Sequence, residues 1–162
     1  LFRSTNYDPI EFSSAARPCA VPVVVRGGAF GLDPAALTKP VIDAMAGHNW
    51  GGTARFTATP NAAGSPCYFS VAVEVNGAAH LTGAALCKGA TAAAQPSRWF
   101  AGEIALTMAL CRYDQAVSEV AGRVTAKNAQ DPAFASLIAK ATQSLTTTLT
   151  INRMKEEPAN GG

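Results

Sequence analysis

Charge is what this sequence has least of. Charged residues make up 15% of the chain, well below the usual quarter. Thirteen Lys and Arg against eleven Asp and Glu leave a formal net charge of +2 at pH 7. That balance speaks against nucleic-acid binding, which needs a concentrated basic surface to neutralise phosphates. No uninterrupted apolar run approaches the ~18 residues of a membrane span, so no transmembrane segment is expected. There is no C-x-x-C, which removes the common zinc-knuckle and thioredoxin-type readings. G-x-S-x-G, S-x-x-K, H-E-x-x-H and G-K-[ST] are missing too, so no catalytic residue and no cofactor is assigned. What the chain does have is apolar content: 48% of its residues, too much for intrinsic disorder. At 162 residues it fits one ordinary domain.

The chain opens at Leu1 rather than Met, as a processed or trimmed chain would, and its first twenty residues carry no signal-peptide pattern. Its four cysteines, Cys19, Cys67, Cys87 and Cys111, admit three pairings. Cys87–Cys111 with Cys19–Cys67 is favoured, because each pair joins segments placed at strand ends. On the chain-entropy view the two loops would add roughly 3 and 4 kcal/mol. The alternative is four buried thiols in a reducing compartment, where cysteine acts as a small hydrophobe. The even count favours an oxidised, extracytoplasmic (periplasmic or secreted) protein.

Patterning divides the chain into an extended lead-in (1–20), an α+β domain (21–152) and a polar tail (153–162). Val21–Arg26 is a β-branched run, limited by Pro22 to a strand beginning or an edge. Asp33 caps a helix with Pro34 at its first position, and Leu37, Val41 and Met45 form one face. Pro40 inside that pattern predicts a kink or a later start. Thr53–Ala58 and Cys67–Val75 read as strands, the second with Phe69, Val71, Val73 and Val75 on one side. Asn76-Gly77 then signals a hairpin returning through Ala78–Leu86. Lys88–Ser97 reads as a loop. Glu103–Arg112 alternates, Tyr113-Asp114 turns, and Gln115–Ala126 returns as a strand, although Val117, Val120 and Val124 sit at helical spacing. Asp131-Pro132 opens a final helix with Phe134, Leu137, Ile138, Ala141 and Leu145 as its stripe. The expected fold is an antiparallel sheet of five to six strands with two helices packed on one face.

Few residues suggest chemistry. Gly27-Gly28-Ala29-Phe30-Gly31 has the setting of an anion loop but not G-x-G-x-x-G spacing, so a tight strand-to-helix crossing is the reading. Arg26 and Arg55 sit on candidate strands near Glu74 and Glu103, as a polar recognition face or a cross-strand charge ladder. Trp50 and Trp99-Phe100 form a candidate aromatic patch, or close the rim of the core. Arg26, Arg55 and Trp99 are therefore the candidate binding residues. His48 or His80 with an acid such as Asp43 or Glu74 would make a small hydrolase or transferase, the alternative to a binding module.

Val23–Asp33 (VVVRGGAFGLD), Thr53–Thr57 (TARFT) and the Ala-Leu-Cys repeats at 85–87 and 109–111 carry one resemblance. On them the chain resembles small exported alphaproteobacterial proteins and lipoproteins of unknown function. The resemblance implies export and no particular activity, and no lipobox cysteine accompanies it. The expected role is a non-enzymatic binding or envelope-accessory module. Its partner would be a protein or a small-molecule ligand.

Overall fold

The computed structural model describes residues 2–5, 8–52, 54–58, 67–77, 81–89 and 102–147. Its elements run β1 (Phe2–Thr5), α1 (Pro9–Ala15), β2 (Ala20–Gly27), α2 (Pro34–Met45), β3 (Arg55–Thr57), β4 (Phe69–Val75), α3 (Gly83–Cys87), β5 (Glu103–Arg112), β6 (Gln115–Thr125) and α4 (Pro132–Thr146). The fold is α+β, and the strands hydrogen-bond in the order β1-β6-β5-β4-β2-β3. The sheet is mixed, not antiparallel as expected. β2 runs parallel to both β3 and β4, while β4, β5, β6 and β1 alternate. The cause is α2. A helix between two strands carries the chain back along the sheet, so the next strand starts from the same end.

Three helices start with the same two residues. Asp8, Asp33 and Asp131 each cap a first turn, accepting hydrogen bonds from Ile10 N–H (3.0 Å), Ala36 N–H (2.8 Å) and Ala133 N–H (2.9 Å). A proline follows each, where a missing N–H costs nothing. Asp131 also accepts from Lys127 N–H, and these backbone donors hold its carboxyl below the usual range. The Asp8-Pro9 pair overturns the extended lead-in, since residues 1–20 hold both β1 and α1. α2 runs on through Pro40. The carbonyl deprived of a donor belongs to exposed Ala36, where water can replace it.

The core lies on one sheet face, between it and helices α1, α2 and α4. Leu37, Val41 and Met45 of α2, with Phe134, Ile138 and Leu145 of α4, meet the valines of β2 and β4 and the Ile104–Leu110 side of β5. Phe12 of α1 adds an edge-on contact to Phe69, with ring centroids 5.3 Å apart. In β6 the register slips beside Leu110 and Cys111: Cys111 faces Ala116 and Leu110 faces Ser118. Val117 is the extra residue of this bulge, so Val117 and Val120 both reach the core. The helix-like spacing within a strand is thereby explained.

Asn76-Gly77 ends β4 without the expected return strand. Asn76 adopts φ 54° and fills the sheet's end, accepting from Ala105 N–H (2.8 Å) and donating to Gly28 C=O (3.3 Å). Residues 78–80 lie outside the described residues, and Gly83–Cys87 is helix α3, not strand. Thr82 caps it by accepting from Ala85 N–H, and Ala84, Ala85 and Leu86 favour helix.

Gly27 makes the β2–β4 seam possible. It sits at φ 85°, and a Cβ there would overlap the Val75 carbonyl oxygen. Gly27→Ala is therefore expected to lower the thermal midpoint by about 10 °C or more, equivalent to ~3 kcal/mol. Gly47→Ala, also at positive φ but with open space around it, should cost much less. Parallel melts followed by circular dichroism measure the difference.

Candidate functional site

The second sheet face is assembled from the residues that alternate away from the core. Register places Arg26, Glu74 and Thr107 in one row across β2, β4 and β5, and Val24, Ala72, Ala109 and Glu119 in the next. Adjacent strands lie about 4.8 Å apart, so neighbours in a row are in side-chain reach. The two alanines leave a shallow floor on which α3 lies, contrary to the expectation that helices cover only one face.

Three described contacts fix α3 there. The Glu119 carboxylate accepts from Gly83 N–H at 2.8 Å, at the helix start. Leu86 is buried against Ala72, Ala109 and Cys111. At the other end Cys87 is disulfide-bonded to Cys111, with Cα atoms 5.5 Å apart. A second disulfide, Cys19–Cys67, joins the residue before β2 to the approach to β4.

Arg26 borders this helix. Its guanidinium extends to the end of α3, with Nη2 4.0 Å from where a Cβ on Gly89 would stand. Arg26 is half-buried, and its Nε is closed off from water without a hydrogen-bond partner. None of the ion pairs among the described residues includes it: these join Lys39 to Asp43, Arg112 to Glu11 and Arg123 to Glu103. Beside it Val24 is exposed and Glu74 is buried. The arrangement is a cation with unused donors, framed by an apolar side chain, a helix end and a carboxylate in the same strand row.

The other candidate residues do not join it. Arg55 is exposed on β3 beside Ala20, six residues along β2 from Arg26 and so roughly 20 Å away. Glu103 pairs with Arg123 at 3.6 Å rather than with either arginine. Trp99, Phe100 and His80 lie outside the described residues. Trp50 is half-buried, its backbone N–H donating to Thr146 Oγ1. His48 is exposed past the end of α2, and Asp43 is bound to Lys39 at 2.7 Å, so the described half of the histidine–acid alternative is not assembled. A groove of about 400 Å³ opens between α2 and the start of α4, and Lys39 and Asp43 on its wall already neutralise each other. Among the described residues no three metal-ligating side chains cluster.

A second polar and aromatic group, Glu11, Tyr68, Arg112 and Tyr113, gathers where α1 meets the β5–β6 hairpin. It is absent from the sequence reading. The signal was the antiparallel register of β4 and β5, which sets Phe69 opposite Arg112 and hence Tyr68 next to Tyr113. Comparison with protein-family models, curated proteins and solved structures found no match for this chain.

The staple is a testable part of the α3 seat. Replacing Cys87 and Cys111 together by Ala should cost roughly 3 kcal/mol, the value expected for a loop of this size. Amide exchange should quicken across Gly83–Cys87 while Phe134–Leu145 stays protected, as hydrogen-exchange mass spectrometry would record.

Proposed function

We propose that this protein is an extracytoplasmic, non-enzymatic binding module that holds an acidic group of a small-molecule ligand or protein partner at Arg26, beside α3. The observation that carries the reading is the half-buried Arg26 guanidinium at the end of α3, which joins none of the ion pairs among the described residues. The enclosed Nε holds the guanidinium against the sheet, and an incoming carboxylate or phosphate would meet its outer Nη groups in charge-assisted hydrogen bonds. Arg26 presents a planar fork suited to such groups, and exposed Val24 adds apolar contact.

The compartment rests on different support. All four cysteines are in disulfides, bonds that persist in oxidising surroundings. No helix among the described residues is long and apolar enough to cross a membrane. The resemblance to small exported alphaproteobacterial proteins points to the same side of the membrane, in an envelope-accessory role.

Two measurements test these statements. Acetate, succinate, phosphate and sulfate at constant ionic strength should raise the thermal midpoint of the wild-type protein, at least one of them saturably. Arg26→Met should abolish that rise, whereas equal shifts in both proteins, or none in either, would refute an anion seat. For the compartment, protein from its native cell, alkylated without reduction, should gain no label by mass spectrometry. Four labelled cysteines would place it in a reducing environment.

A further inference from the structure

At the tip of the β5–β6 hairpin one aromatic ring is exposed and yet stacked on another. Tyr113 is 74% exposed. Its backbone N–H donates to Tyr68 C=O at 2.8 Å, and its ring lies nearly parallel to that of Tyr68, with centroids 5.7 Å apart and planes inclined by 23°. Tyr68 leans in turn on Phe69, and Phe69 on Phe12 in the core, so the stack is braced from behind. A polar clamp fixes its side. Arg112 Nη1 donates to Glu11 Oε1 at 2.7 Å, and Tyr68 Oη donates a long bond to Glu11 Oε2 at 3.5 Å. Burial and the Glu11 carboxylate both raise the Tyr68 pKa, which keeps its phenol a neutral donor. Tyr113 also has φ 56°, a backbone state that glycine adopts freely and a bulky residue seldom does.

We propose that Tyr113, backed by Tyr68 and flanked by Arg112, is a stacking platform for a saccharide ring, at a site separate from Arg26. The geometry selects the ligand. Because the tyrosines cover each other, the pair offers the one outer face of Tyr113 rather than a groove between rings. A flat ring therefore suits it better than a proline-rich peptide, which needs an aromatic-lined groove. A pyranose presents such a face of C–H groups, which the electron-rich side of a phenol ring attracts. The charges favour a neutral, hydroxylated ligand over a phosphorylated or acidic one. Arg112 is already neutralised by Glu11, and Asp114 follows Tyr113 directly in the exposed turn. Hydroxyl groups both donate and accept, and the residues on either side of Tyr113 in the sequence carry groups of both kinds, the guanidinium of Arg112 and the carboxylate of Asp114.

The test is titration of the full chain with cellotriose, chitotriose and maltotriose, followed by NMR of the tyrosine rings and arginine Nε–H groups. At least one trisaccharide should shift the Tyr113 ring and the Arg112 Nε–H signal saturably. Tyr113→Gly relieves the backbone conformation, so this variant should melt no lower than the wild type and yet bind at least tenfold more weakly. Arg112→Lys keeps the charge opposite Glu11 but removes the planar donors, and should also weaken binding. Absence of saturable shifts with all three sugars overturns the proposal, as does binding that survives Tyr113→Gly. Shifts of Tyr113 that follow protein concentration instead of sugar would assign the ring to contact between copies, and equally defeat it.

Discussion

The parallel pairing of Val23–Gly27 with Val71–Val75 decides which side chains share each face of the sheet. α2 returns the chain to the starting end of β2, where β3 pairs, and Gly27 lets the β2 and β4 backbones close. Side chains alternate along each strand, so one register fixes two surfaces at once. Toward the helices it aligns Val23 and Val25 with Val71 and Val73 in the core. Away from them it sets Arg26 beside Glu74, and Val24 beside Ala72. A slip of one residue would bury the cation and expose the valines.

Much of this order was legible in the residues, where local chemistry was sufficient. Asp33-Pro34 and Asp131-Pro132 mark true helix starts, and the alternation of Phe69–Val75 marks a true strand. Asp8-Pro9 carries the same signature, and was obscured by the shortness of the segment behind it, in which Phe12 is the one residue fully in the core. The Asn-Gly pair misled for a tertiary reason. Asn76 spends its side chain on Ala105 and Gly28, two strands it could not be known to lie between. The direction of β2 relative to β4 was likewise a matter of assembly, although the intervening helix was itself in view.

The candidate sites divide in the same way. Arg26 could be singled out because a charge at the end of a β-branched run is conspicuous. Its setting depends on the end of α3, a helix that the weak alternation of Ala78–Leu86 disguised as strand. Arg55 had the same local credentials and ended elsewhere, since β3 joins the far half of β2. The tyrosine pair needed both the β4–β5 register and the placement of α1, which lies about a hundred residues before the arginine it holds. Arg112 and Glu11, with |i−j| = 101, can meet only after the chain has closed.

The order of the disulfides has a consequence for how the chain is made. Cys19 joins Cys67 and Cys87 joins Cys111, so the first cysteine is bonded to the second and the third to the fourth, and the two loops neither nest nor cross. A chain that is oxidised as it emerges, first residue first, therefore reaches its final pairing by joining each new thiol to the last one still free. Each covalent ring can close before the following one has begun. The native set of bonds is also the set that synthesis would produce in passing, with no reshuffling step.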